Sequence, residues 1–380
     1  MSLTIPRGPV PMPPERPSSL SIRRSAPFWV HVLACAVVAA TLALIVLGGV
    51  VTSKSVGMAV PDWPTTYGHH MFAFPFEKWR QGGVFWEHAH RVVASSVGAL
   101  TLVLAGCVQA TESRRWLRRL AWTAVAVVCL QGALGGYRVK LNDIPVFGIS
   151  GATFFGILHA TTSQIFLCLL GVVALATSPS WRRFGGPSGS TGPVRAHREV
   201  LGIVALMSVQ LVVAATMRQQ HAGLAIPDFP LAYGRVYPAT DADTLARINQ
   251  QRTSIVDDMP VTAFQIHLQM VHRILAVLLL AGVISLAARQ RRAASPWSGW
   301  FRLWAILLGA QCLLGAATIW TGKLDAVATA HVGIGALSLL TGVTLGIALC
   351  RARNGRLAIN PCDPTRGEIQ TAAGEPIGAS

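Results

Sequence analysis

Charge is scarce in this sequence. Asp, Glu, Lys and Arg together make up 13% of its 380 residues, about half of what a soluble chain carries. Acids are scarcer still, 16 against 32 Lys and Arg, which leaves a formal net charge of +16. A basic balance of that size could indicate a nucleic-acid partner, but its distribution, taken up below, excludes one. No Cys-x-x-Cys spacing occurs among the seven cysteines, so nothing suggests a thiolate metal site or a dithiol redox centre. Cys35, Cys107, Cys129, Cys168 and Cys312 lie inside apolar stretches, and Cys350 and Cys362 follow the last one. A structural disulfide on an oxidising face is therefore not expected.

What fills the chain instead is apolar: 52% of residues are hydrophobic and the mean hydropathy is +0.48. Eight stretches approach the roughly 20 residues needed to cross about 30 Å of hydrocarbon. They are Val30–Val51, Val84–Ala110, Leu120–Gly136, Phe154–Ala176, Val200–Thr216, Val261–Ala288, Leu303–Trp320 and Val327–Leu349, the third, fifth and seventh being short. Lipid forces each to satisfy its own backbone hydrogen bonds, so each is expected to be a helix. The fold class is thus an all-α integral membrane protein of eight transmembrane helices. The Pro- and Ser-rich segment 1–27 is expected to be a disordered tail, as is 351–380. The apolar run after Arg24 is too long for a signal-peptide core and is read as a retained first helix.

Twenty Lys and Arg residues fall in the two tails and the loops after the second, fourth and sixth stretches. The opposite loops hold ten, nearly balanced by acids such as Asp228, Asp241, Asp243, Asp257 and Asp258. The positive-inside rule puts both termini in the cytoplasm. The basic excess is a topology signal.

The chain repeats itself. Gly57 to Gly68 (GMAVPDWPTTYG) matches Gly223 to Gly234 (GLAIPDFPLAYG) at seven of twelve positions, and Gln131-Gly132-Ala133-Leu134-Gly135 is echoed by Gln311-Cys312-Leu313-Leu314-Gly315. Four crossings per repeat give both halves one orientation, related by an axis along the membrane normal. The expected units are a four-helix half at 28–177, a cytoplasmic linker at 178–199 and a second four-helix half at 200–350. The Pro-Asp-aromatic-Pro loops are open to two readings, which are compatible. They can be rigid turns, because proline fixes φ and Asp bonds its own backbone, or caps over a ligand.

Histidines follow the same repeat. His90 in the second stretch corresponds to His272 in the sixth, and His159 in the fourth to His331 in the eighth. Each half therefore has two histidines at similar depth on separate helices, an arrangement that can ligate a haem iron from both faces. A single intramembrane histidine is often only a hydrogen bond to a neighbouring helix. Four at duplicated positions mark function. Zinc is the lesser alternative, since a tetrahedral site wants further ligands at that level. His31, His69, His70, His88, His197, His221 and His267 lack a matching partner or lie in loops, and none is expected to be an obligatory ligand. Arg91 and Arg273, directly after His90 and His272, are candidates to pair with haem propionates. An arginine reaching the headgroups is the alternative.

The halves differ at one position. Glu87 lies one helical turn, about 4.5 Å of rise, before His90, whereas the residue before His272 is Gln269. A carboxyl there can move protons, although an acid near a helix start is also favoured by the macrodipole.

Taken together, Gly49-Val50-Val51-Thr52-Ser53 with the Pro61-Asp62-Trp63-Pro64-Thr65 loop, Glu87-x-x-His90-Arg91, Gln131-Gly-x-x-Gly-Gly-x-Arg138, His159, Val271-His272-Arg273 and His331 resemble the haem A synthase family, over roughly Phe28 to Leu349. The resemblance implies a membrane oxidoreductase that turns a porphyrin methyl of haem O into a formyl group by successive water-derived hydroxylations. It implies haem O as substrate on His90 and His159 beside Glu87, and haem b as cofactor and electron relay on His272 and His331. It further implies a bacterial inner membrane, with haem O synthase and other cytochrome oxidase assembly factors as candidate partners beside membrane lipid. Some family members carry a cysteine pair in an outer loop. This chain does not, so no thiol chemistry carries over. A dihaem b-type cytochrome that only transfers electrons, for instance with quinone, explains the four histidines equally well but not the Glu/Gln difference. A parallel-repeat transporter would need polar groups at the midplane, and here they cluster near one end.

Overall fold

In a computed structural model, the described residues are 25–184, 194–251 and 260–359. Ten α-helices occur among them: α1 (Phe28–Ser53), α2 (Val84–Thr111), α3 (Arg115–Lys140), α4 (Gly151–Thr177), α5 (Pro179–Phe184), α6 (Val194–Gln219), α7 (Ala242–Gln251), α8 (Ala263–Arg292), α9 (Ser298–Trp320) and α10 (Asp325–Ile359). Eight of them, all except the short α5 and α7, are long and apolar enough to cross a membrane. The expected eight-helix class is what the chain adopts.

Helix ends differ from the apolar stretches, and for one reason. α3, α6 and α8 run on through Arg115, Arg118, Arg119, Arg198, Arg289, Arg291 and Arg292. Arginine is a good helix former whose charged head reaches water while its stem lies along lipid. The third and fifth spans are therefore full-length helices. For the same reason α5 and the start of α6 occupy part of the expected 178–199 linker. Likewise α10 continues to Ile359, so the first residues of the expected 351–380 tail are helical. The remainder of that tail and nearly all of 1–27 lie outside the described residues.

α1 packs on α2 and α4, and α2–α3 and α3–α4 contacts close the first ring. α6, α8, α9 and α10 close a second ring in the same order. Each ring has its own core, one around Val97, Leu104, Leu117 and Leu170, the other around Leu286, Phe301, Trp304 and Leu349. Between rings, α1 meets α10, α4 meets α6, and α4 meets α10. The first two contacts exchange when α1 is matched to α6 and α4 to α10. That is what a two-fold relation between halves requires, with α4 and α10 at the axis. Small residues allow the approach: a Cβ built on Gly171 of α4 would lie 2.2 Å from Leu340 Cδ1 of α10.

The loops before α2 and α8 are built alike. Asp62 accepts the backbone N–H groups of Tyr67 (2.7 Å) and Gly68 (2.9 Å), and Asp228 those of Tyr233 (2.7 Å) and Gly234 (2.9 Å). Thr66 pairs with His69 and Ala232 with Arg235 across each turn, and both loops carry a cis X–Pro peptide, Trp63–Pro64 and Phe229–Pro230. Tyr67 and Tyr233 have positive φ and each is followed by a glycine that shares it, which suits glycine best. Thr65 also bonds Asp62. Burial of this loop carboxyl opposes ionisation, but the bonds from Gly68, Thr65 and Tyr67 outweigh it and hold Asp62 below the usual carboxylate range.

The hairpin Pro145–Val146/Ile149–Ser150 turns through Phe147 and Gly148, both with positive φ, and Ser150 caps α4 through the Thr153 N–H at 3.2 Å. Thr262 and Gln265 form a capping box on α8. Cys35, Cys107, Cys129, Cys168 and Cys312 are free, and all six described cysteines lie in helices.

Candidate haem-binding site

The four repeat histidines come together as two pairs. The ring centroids of His90 (α2) and His159 (α4) are 6.5 Å apart with planes crossed at 74°, and those of His272 (α8) and His331 (α10) are 6.4 Å apart at 63°. A metal–imidazole bond is about 2 Å and a ring nitrogen sits about 1 Å from its ring centre. Two imidazoles on opposite sides of one iron therefore have centroids roughly 6 Å apart. The spacing in both halves fits a porphyrin iron.

Three of the four rings have Nδ1 occupied. His159 Nδ1 lies 3.1 Å from the Gln131 carbonyl and His331 Nδ1 3.0 Å from the Gln311 carbonyl. A carbonyl only accepts, so both rings carry their proton on Nδ1 and present Nε2 as a lone pair, the form that ligates a metal. The Gln311 amide donates to that lone pair at 3.2 Å, a place an iron would take. In α8, the Gln210 amide sits 3.0 Å from His272 Nδ1 and donates to the His272 carbonyl at 3.0 Å. His90 Nδ1 is buried without a partner. Glycines let the ring edges lie close to neighbouring helices. A Cβ on Gly48 would lie 3.0 Å from His90 Cε1, one on Gly135 3.4 Å from His159 Cε1, and one on Gly315 3.2 Å from His331 Cε1.

Among the described residues no three His, Cys, Asp or Glu side chains converge to hold a metal ion. Two histidines per site suit an iron whose other ligands come from a porphyrin, and do not suit the tetrahedral zinc alternative.

The remaining histidines go elsewhere. His88 is fully buried, bonds Thr66 Oγ1 at 3.1 Å and packs between Phe74 and Trp79 beneath the loop. His267 is held by Tyr237 (2.7 Å) and Thr240 (3.2 Å), and His31 by the Ala174 carbonyl (3.0 Å).

Glu87 is buried, with Oε2 accepting the Val60 N–H at 2.8 Å and Oε1 paired with Arg91 at 2.6 Å. Gln269 does the matching work: its oxygen accepts the Ile226 N–H at 2.7 Å, and its nitrogen donates to Gly223 and Ile226 carbonyls.

Arg91 donates to the carbonyls of Asp62 (2.6 Å), Thr65 (3.0 Å) and Val60 (3.1 Å), and Arg273 to those of Leu231 (2.9 Å) and Asp228 (2.8 Å). The expected propionate role of Arg91 and Arg273 is not what these contacts show, since both arginines hold loop carbonyls. Their guanidinium groups bend back to fasten the preceding loop, which supplies a ready row of carbonyls. No role for Arg138, Arg218, Gln131, Gln210 or Gln311 was read from the sequence. The Gln131/Gln311 repeat and the motif ending in Arg138 marked three of them, and nothing marked Arg218 or Gln210.

A family described as Cytochrome oxidase assembly protein (COX15-CtaA) matches residues 31–343. The chain belongs to this family. Curated relatives of the cytochrome oxidase assembly family that resemble it are named Heme A synthase. The protein of Hyphomonas neptunium is 26% identical over 328 residues, 79% of this chain and 87% of the relative. That of Rhizorhabdus wittichii is 25% identical over 359 residues, 86% and 93% of the two chains. That of Shewanella oneidensis is 24% identical over 325 residues, 81% and 93%.

Proposed function

We propose that this protein is a haem A synthase of the membrane, oxidising a methyl group of haem O to a formyl group. The observation that carries the reading is the pair of matched histidine couples, 6.5 and 6.4 Å between centroids, in a chain of the cytochrome oxidase assembly family. His90 and His159 hold the substrate porphyrin. His272 and His331 hold haem b, which when bound supplies a one-electron relay. Each hydroxylation adds the oxygen of a water and releases two protons and two electrons, the electrons leaving one at a time to an acceptor outside the chain, so a proton acceptor near the substrate is needed.

Glu87 is the acceptor. It stands one turn before His90, and its counterpart Gln269 cannot ionise. Arg91 and the Val60 N–H hold the carboxylate in place, and a proton arriving at Oε1 would loosen the Arg91 contact. The arginine-rich ends support a cytoplasmic location for both termini, in the inner membrane of a bacterium. Haem O synthase and other oxidase assembly factors are the partners this activity calls for.

A dihaem cytochrome is the second reading. It is favoured by one observation, that Glu87 and Gln269 share the task of holding a loop. Haem extracted from the purified protein, produced with a supply of haem O, separates the two. Haem A beside haem b supports the synthase, and haem b alone supports the cytochrome.

A further inference from the structure

Among the described residues, two arginines near the histidine pairs have no acid within ion-pair distance. Arg138, near the end of α3, makes no hydrogen bond to another described residue, and its Nε is buried without a partner. Its guanidinium lies under the first loop, where a Cβ on Gly57 would sit 3.4 Å from Nη1 and Nη2. Arg218, near the end of α6, reaches across the seam between halves. Its Nη2 donates to the Gly49 carbonyl (2.7 Å) and Ser53 Oγ (2.9 Å) of α1. Arg138 stands about one turn beyond Gly135, where a Cβ would lie 3.4 Å from His159 Cε1, and Ser53, a partner of Arg218, lies 3.5 Å from Thr329 Oγ1, two residues before His331. The carboxylate that Arg138 senses is Glu87, whose oxygens are already taken by Arg91 and Val60. Lys54 and Asp325 pair with each other at 3.2 Å. Among the described residues neither arginine has a carboxylate within ion-pair distance, and a charge left uncompensated in a membrane-spanning bundle is costly.

The repeat shows that the excess is apportioned. By the register of the matched loops Arg218 corresponds to Thr52, and by that of Gln131 and Gln311 Arg138 corresponds to Thr318. Thr52 and Thr318 bond their own helix carbonyls, Gly48 and Leu314. Each half thus has one arginine, drawn from a different helix in each, and both reach the end of α1 and the turn after it, Arg218 at Gly49 and Ser53 and Arg138 beside Gly57. We propose that Arg138 and Arg218 form a carboxylate-binding seam shared by the two porphyrin sites, each arginine taking a propionate of the porphyrin in its own half. The inference rests on the bis-histidine reading of those sites. It moves the propionates from the outer loops, where Arg91 and Arg273 are committed, to the boundary between halves, so that the acidic edges of both porphyrins face one another across two cations.

The test pairs a ligand change with a residue change. Protein made haem-free in full length is titrated in detergent with iron protoporphyrin IX and with its dimethyl ester, which keeps the ring and loses both carboxylates. A His90→Ala background isolates the second site and a His272→Ala background the first. A hydrogen bond to a charged group is worth roughly tenfold in affinity, so the free acid should bind about tenfold more tightly than the ester. Arg218→Gln should abolish that preference at the second site and Arg138→Gln at the first. Arg→Lys at either position should keep part of it. Unchanged binding of the ester by each variant reports an intact fold. Equal binding of acid and ester by the unsubstituted arginines, or a preference that survives Arg→Gln, would overturn the seam while leaving the low-spin bis-histidine spectrum in place. Absence of that spectrum with either compound would remove the porphyrin reading and the seam with it.

Discussion

Glu87 and Gln269 each accept a backbone N–H from the loop ahead of their helix, from Val60 at 2.8 Å and Ile226 at 2.7 Å. One carboxylate and one amide thus do the same structural work in the two halves. What distinguishes Glu87 is charge: it pairs with Arg91 at 2.6 Å, whereas Arg273 bonds two carbonyls and stacks over the Phe229 ring.

That equivalence makes Glu87→Gln a clean substitution. Gln269 shows that an amide holds such a loop, and Arg91 keeps its three carbonyl acceptors. Haem content and thermal stability should stay close to wild type, while haem A output falls by roughly 10²-fold or more, the usual contribution of a positioned acid–base group. Gln269→Glu should create no new activity. Normal haem A output from Glu87→Gln, measured by extraction, would leave Glu87 as a loop clamp only.

His88→Ala and His267→Ala should leave the low-spin haem spectrum intact. His88 packs under the first loop, and its loss should cost about 1–3 kcal/mol through the Thr66 bond and buried contacts. If His88→Ala abolished a haem signal that His90→Ala retained, the ligand would be His88.

Asp62 ties the first loop into its turn, and the loop should respond to acid accordingly. Its folded carboxyl titrates below the usual range, so its contribution is complete above the unfolded pKa of about 3.9 and is lost as pH falls through the lower folded value. Hydrogen exchange at Tyr67 and Gly68 should be protected down to that point and exposed below it. In Asp62→Asn the protection should be weaker and should lose this acid-dependent step.

Reductant should change neither haem content nor activity, because all six described cysteines lie in helices and not in the loops of the oxidising face. A large loss measured by absorbance after dithiothreitol treatment would contradict this.

The eight crossings and the histidine register were legible because lipid permits few alternatives and duplication writes the same signal twice. His90, His159, His272 and His331 could be paired from spacing alone. Helix ends were not legible, since Arg115, Arg198 and Arg292 read as loop in hydropathy yet belong to α3, α6 and α8. The fate of Arg91 and Arg273 was hidden for a different reason. Sequence places a guanidinium beside a histidine but cannot show it folding back onto the carbonyls of Asp62 and Asp228. Arg218 gave no signal at all, because its partners, Gly49 and Ser53, belong to the other half of the chain.

The central claim is a division of labour, with the substrate porphyrin on His90 and His159 and haem b on His272 and His331. It is tested most directly by typing the haem extracted from His90→Ala and His272→Ala proteins made with a supply of haem O. The account predicts that His272→Ala loses haem b and retains haem O, while His90→Ala retains haem b and yields neither haem O nor haem A. Loss of the same haem from both variants, or the reverse assignment, would contradict it.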